Sequence, residues 1–107
     1  MDEKLVEKSM QIIISSGEAR DFCMKALEQA EEGNYEKAAE LHAEAKKAIV
    51  AAHHIQTECI QGATAGEPFE YNVLFAHAQD TMMTVFSEIN LTGHIIKLSR
   101  NLSEKQR

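Results

Sequence analysis

Glu32-Gly33-Asn34-Tyr35 separates two long stretches whose apolar residues recur at helical spacing, and that separation decides the fold. Gly33 suits the left-handed conformation that ends helices, and Asn34 suits the cap of the next one. The two flanking helices are therefore predicted to form a tight antiparallel hairpin. Upstream, Leu5, Ile12, Ala19 and Ala26 repeat every seven residues, with Ser9, Ser16, Cys23 and Ala30 as the companion series. This pattern predicts a first helix over about residues 2–31. Gly17 lies inside it, where glycine costs about 1 kcal/mol relative to alanine, so a close helix approach or a slight bend is expected there. Downstream, Ala38, Leu41, Ala45, Ala48, Ala52, Ile55 and Cys59 alternate spacings of three and four over about residues 35–62. That is the seam of a supercoiled bundle, and its alanines permit close packing.

Past Gly62 the composition shifts to Gly-Ala-Thr-Ala-Gly-Glu-Pro, where Gly66 and Pro68 break helix through backbone freedom and a missing donor. Asn72 can cap a third helix over about residues 72–103, buried through Phe75, Gln79, Met82, Phe86, Ile89, Gly93 and Ile96. The polar tail Glu104-Lys105-Gln106-Arg107 is expected to fray. No alternating strand pattern of useful length occurs. The chain reads as all-α, a single domain over residues 1–107 folded as an antiparallel, up-down-up three-helix bundle.

Composition narrows the function. A chain of 107 residues with 44% hydrophobic content suffices for one domain, and small domains often gain stability by associating. Seventeen acidic residues against eleven basic ones give a net charge of −6, and no Lys/Arg run supplies the footprint a nucleic acid requires. Apolar runs such as Ala48-Ile49-Val50-Ala51-Ala52 fall far short of the roughly 20 residues that span a bilayer. Met1-Asp2-Glu3-Lys4 does not open a signal peptide, so a cytoplasmic location is expected. Cys23 and Cys59 sit in apolar helical contexts without CxxC spacing and read as buried, reduced thiols. No HExxH, paired ExxH or cysteine-histidine zinc spacing occurs, which weighs against a metalloenzyme. Met10, Met24, Met82 and Met83 read as core filler, and Glu28, Glu31, Glu32 and Glu36 as a solvated hairpin end.

The chemistry lies in Leu74-Phe75-Ala76-His77-Ala78-Gln79-Asp80-Thr81-Met82-Met83-Thr84, where a histidine, an amide and a carboxylate interrupt an apolar helical stretch. A neutral imidazole is a competent nucleophile near neutral pH and can accept and pass on a transferable group. His77 and Asp80, three residues apart, share a face with Thr84, Ser87, Leu91, His94 and Leu98. That second stripe is either a contact with another copy or a solvated polar face. Gln79 lies about 200° from His77 and is expected to hydrogen-bond inside the bundle, to His53 or Gln56, or to reach a neighbouring subunit's site. His53 and Gln56 are expected to form a buried polar network, and His42 and His94 to be surface or interface groups. Taken alone, His77 on a partly apolar helix reads as a packing histidine.

These residues resemble a family, the enzyme IIA component of the lactose/cellobiose (N,N'-diacetylchitobiose) class of the bacterial phosphoenolpyruvate-dependent sugar phosphotransferase system. The likeness runs through Ile13-Ile14-Ser15-Ser16-Gly17-Glu18-Ala19-Arg20, the Ala30–Tyr35 turn, Ala52-His53-His54-Ile55-Gln56-Thr57, and His77-Ala78-Gln79-Asp80 followed by Met82-Met83-Thr84. The resemblance implies a homotrimeric nine-helix bundle in which His77 is phosphorylated by the carrier HPr and passes the group to a cysteine of the cognate enzyme IIB. It implies that three copies of Asp80 meet at the trimer axis around a metal ion, commonly Mg2+. Three converging carboxylates need a cation or shared protons, and oxygen ligands favour a hard ion. Gln79 is expected to support His77. Some members carry a second histidine directly after the motif, where this chain has Thr81. The rival reading is a non-catalytic helical interaction or metal-binding bundle. A two-component phosphotransfer domain fits poorly, because its usual lysine and glycine are replaced by Asp80 and Thr81.

Overall fold

The computed structural model describes residues 3–64 and 73–106 as three helices: α1 (Glu3–Glu31), α2 (Tyr35–Thr64) and α3 (Val73–Lys105). No strand occurs among the described residues. The expected break at Gly66 and Pro68, the Asn72 cap and the start at Asp2 lie outside them. Two boundaries differ from expectation: α2 continues past Gly62, and α3 runs through Glu104 and Lys105 instead of fraying at Ser103. Arg100 Nε donates to Glu104 Oε1 at 3.2 Å, an i,i+4 pair that supports the last turn of α3.

The first turn forms as the sequence requires. Asn34 N–H donates to Gln29 O (2.8 Å) and Gly33 N–H to Ala30 O (3.0 Å), the paired bonds of a Schellman ending. Gly33 adopts φ = 83°, a conformation that costs other L residues about 1–2 kcal/mol. Asn34 O then accepts from Ala38 N (3.0 Å), which opens α2. Cross-links between α2 and α3 join Tyr35 to Ser99, His42 to Ile89 and Gln56 to Gln79, so the two helices run antiparallel. The result is a rod of 60 × 19 × 19 Å.

All eight residues of the two predicted α1 series, Leu5, Ser9, Ile12, Ser16, Ala19, Cys23, Ala26 and Ala30, are buried. They meet Ala38, Ala45, Ile49, Ala52 and Cys59 of α2 and a stripe of α3. That stripe corrects the sequence reading: it is Phe75, Ala78, Met82, Val85, Ile89, Thr92 and Ile96, and Phe86 is half exposed. Both readings share Phe75, Met82, Ile89 and Ile96 and differ in which residues fill the alternate turns. Helix α1 packs more closely on α2 and α3 than those two pack on each other. Ala78, Val85 and Thr92 therefore enter the core, while Gln79, Phe86 and Gly93 fall towards the wider α2–α3 side.

Other expectations also fail on burial. Of the four methionines read as filler, only Met82 is buried, and Met10, Met24 and Met83 are exposed. Gly17 is exposed, and a Cβ added there meets nothing within 4 Å, so neither close approach nor crowding explains the glycine.

The two glycines give opposite expectations. Gly17→Ala should raise unfolding stability by about 0.5–1 kcal/mol, because it restricts the unfolded chain without a steric cost. Gly33→Ala should lower it by about 1 kcal/mol, because of the left-handed backbone. Urea unfolding at one fixed protein concentration measures both.

Candidate active site

Helix α3 positions the predicted chemistry by anchoring one side of a turn and leaving the other open. Phe75, Ala78 and Met82 are buried, while His77 and Asp80 between them are exposed. The backbone beneath them is fastened locally: Thr81 Oγ1 donates to His77 O and Thr84 Oγ1 to Asp80 O, each at 2.8 Å. Thr81, standing where some relatives are expected to carry histidine, thus bonds to the main chain of the histidine it follows.

Relative to Asp80, Thr84, Ser87, Leu91 and Leu98 lie within about 40° around the helix, and His77 lies about 60° to one side. The structure exposes every member of the predicted stripe: His77, Asp80, Thr84, Ser87, Leu91, His94 and Leu98. Met83, Phe86, Ile95 and Leu102 add exposed apolar surface beside it. Such a density of large apolar groups on one helix exceeds what isolated surface residues explain.

Gln79 is half-buried on the α2 side, and its Oε1 accepts from Gln56 Nε2 at 3.3 Å. This bond selects Gln56 from the two expected partners. His53 is exposed, so the anticipated His53–Gln56 network is replaced by a Gln56–Gln79 pair. His42 corrects a second expectation: it is half-buried between helices and donates from Nε2 to Ile89 O at 2.8 Å. The signal available in the sequence was Gly93, whose missing side chain leaves room for the ring; an added Cβ would lie 2.9 Å from His42 Cε1.

On the α1 side of the same helix, Arg20 holds Glu88 through two bonds, Nε to Oε1 at 2.7 Å and Nη2 to Oε2 at 3.0 Å. Both cysteines are free and buried. Burial pushes the Cys23 thiol up, against a bond from Thr92 that pulls it down, and burial likewise raises Cys59. Thiols kept protonated are poor nucleophiles. Among the described residues no group of three His, Cys, Asp or Glu side chains is placed to hold a metal ion. No helix among the described residues is long and apolar enough to cross a membrane.

The chain is similar over nearly its whole length to known proteins. A family model described as PTS system, lactose/cellobiose-specific IIA subunit matches residues 7–100. The lichenan-specific phosphotransferase enzyme IIA component of Bacillus subtilis (strain 168) is 33% identical over 106 residues, covering 99% of this chain and 96% of that protein. Among solved structures, the cellobiose-specific enzyme IIA from Bacillus anthracis superposes with a TM-score of 0.92 at 40% identity, covering 98% of this chain and 96% of that one. The IIA(chitobiose)–HPr complex of the Escherichia coli phosphotransferase system gives a TM-score of 0.83 at 31% identity, covering 95% and 99%.

The amide pair makes a stability prediction. Gln56→Leu should cost about 1–3 kcal/mol by leaving the half-buried Gln79 carbonyl without its partner, and adding Gln79→Leu should recover most of that loss. A double-mutant cycle by urea unfolding gives the coupling.

Proposed function

The chain belongs to the lactose/cellobiose-specific IIA family of the sugar phosphotransferase system, and we propose that His77 is the residue on which it carries the phosphoryl group. As a member it is a phosphotransferase component acting as a carrier in sugar uptake, which sets aside the non-catalytic bundle. One observation carries the assignment of the residue: His77 presents an exposed imidazole on an α3 turn whose neighbours Phe75, Ala78 and Met82 are anchored in the core.

The chemistry is a pair of in-line displacements. An unprotonated imidazole nitrogen of His77 attacks the phosphorus of a phosphohistidine donor, a nitrogen–phosphorus bond forms on His77, and the donor's imidazole leaves. The acceptor's thiolate then attacks the same phosphorus, and the His77 nitrogen is the leaving group. Such transfer needs positioning more than covalent help. Asp80 stands three residues along α3 on the same face as His77. HPr is the proposed donor, supported by the likeness to a IIA protein solved in complex with HPr. The proposed acceptor is a cysteine of the cognate enzyme IIB, and the proposed setting is the cytoplasm.

The exposed stripe of α3 supports assembly as a homotrimer with α3 innermost, a nine-helix bundle. A threefold arrangement with that face inward brings three Asp80 carboxylates to the axis. Their oxygens suit a hard cation such as Mg2+, which would offset three like charges taken out of water. In the same assembly Gln79, held by Gln56 on the flank of α3 opposite His77, faces the next subunit and can support that subunit's histidine.

Incubation with phosphoenolpyruvate, enzyme I and HPr tests the carrier residue. The protein should acquire acid-labile, base-stable phosphate, and His77→Ala should remove it with assembly intact; labelling that persists in the variant moves the site elsewhere. For the ion, Asp80→Leu should abolish metal binding without dissolving the assembly, since it removes three buried like charges together with the coordination. Metal analysis beside light scattering reads both, and metal retained in the variant contradicts the axial role.

A further inference from the structure

Three residues of α3 point straight away from the core. Asp80 stands two residues after the buried Ala78 and two before the buried Met82; Ser87 stands likewise between Val85 and Ile89, and His94 between Thr92 and Ile96. Two residues turn a helix by about 200°, so each of the three projects opposite the midpoint of the buried stripe. All three are exposed. The buried series Phe75, Met82, Ile89, Ile96 and Ala78, Val85, Thr92 both recur every seven residues. The face carrying Asp80, Ser87 and His94 has the same period, so it keeps one bearing relative to the core along the helix.

His94 sits between leucines on this face. Leu91 lies three residues before it and Leu98 four after, both more than half exposed, which is the spacing of successive layers where helices pack against each other. The His94 ring borders the α2–α3 groove in one chain. Among the described residues no hydrogen bond or ion pair holds it there, whereas His42 is tied to Ile89 O. One copy brings no second or third ligand to it, since among the described residues no group of three His, Cys, Asp or Glu is placed to hold an ion. A threefold axis supplies the missing two, because a residue that faces the axis meets its own copies.

We propose that three His94 imidazoles, one from each subunit, bind a single transition-metal ion of the zinc class on the threefold axis. The inference rests on the assembly with α3 innermost: an axis that gathers three Asp80 carboxylates gathers three His94 rings on the same bearing, about 21 Å further along at helical rise. The two sites take different ions. Carboxylate oxygens suit a hard ion such as Mg2+, whereas neutral imidazole nitrogens suit Zn2+ and its neighbours. Three nitrogen ligands leave a fourth position on Zn2+ for water, and the layers of Leu91 and Leu98 close the site above and below. Metal bonds there replace the water contacts that the rings give up between leucine layers, a loss that costs free energy when nothing offsets it.

The test uses the whole chain, stripped with a chelator and returned to buffer containing Mg2+, with assembly read by light scattering and Zn2+ binding by calorimetry. The expected result is a trimer that takes up one Zn2+ per three chains and gains thermal midpoint on doing so. His94→Leu should stay trimeric and lose both the binding and the gain; Asp80→Leu should keep both, which separates this ion from the one at Asp80. Co2+ in place of Zn2+ should give the visible absorption of a four-coordinate ion in the parent protein and not in His94→Leu. A trimer that binds no Zn2+, binds one per chain, binds it equally after His94→Leu or loses it after Asp80→Leu overturns the His94 site and leaves the assembly standing. A protein that is not a trimer overturns the assembly and this site with it.

Discussion

The structure depends on how closely one helix can be approached. Along α1 the buried positions are mostly small: Ser9, Ser16, Ala19, Cys23, Ala26 and Ala30 stand beside only two larger residues, Leu5 and Ile12. Small side chains let neighbouring backbones come near, and buried apolar area in a narrow rod is gained chiefly by such approach. The two serines of the seam differ: Ser9 Oγ donates to Leu5 O at 2.7 Å within its own helix, whereas the buried Ser16 Oγ has no hydrogen-bond partner among the described residues. Helix α1 therefore acts as the common spine of the bundle, with α2 and α3 both packed onto it and less closely onto each other.

The unequal approach accounts for the rest of the molecule. Where α2 and α3 stand apart, the gap is crossed by side chains long enough and polar enough to bridge it: Tyr35 to Ser99, His42 to Ile89 and Gln56 to Gln79. Each bridge satisfies polar groups that would otherwise be stranded in a half-buried groove. On the opposite flank α3 lies against α1, and there the Arg20–Glu88 pair and Thr92 beside Cys23 mark the tighter contact.

Orientation of α3 about its own axis is what turns a scaffold into a site. With Ala78, Val85 and Thr92 facing inward, His77 and Asp80 are carried outward on an ordered turn, and the large apolar residues Leu91, Ile95 and Leu98 follow on the same side. In the proposed reading His77 meets two successive partners, and the arrangement suits that task because its backbone is fixed while its ring stays reachable. The exposed apolar groups on that face carry a cost in water that association removes, so in the proposed reading the carrier histidine and the assembly surface share one helix.

Much of this was legible in the residues. Seven-residue recurrence in α1 identified all eight of its buried positions, because a long helix with one narrow stripe leaves little freedom. Gly33 and Asn34 marked the hairpin, since few residues tolerate the backbone that a helix ending needs. The pairing of His77 with Asp80 on one face followed from spacing alone. Tertiary structure decided what spacing leaves ambiguous. Stripes of α3 through Gln79, Phe86 and Gly93 or through Ala78, Val85 and Thr92 differ by half a turn or less of helix rotation. Only the closeness of α1 selects between them. Likewise His42 and His53 are indistinguishable as lone histidines in helical sequence; one is held between helices and the other faces water because Gly93 stands opposite the first. Local sequence sets which residues share a face, by helical geometry, but which way that face points is set by the packing of neighbours distant along the chain.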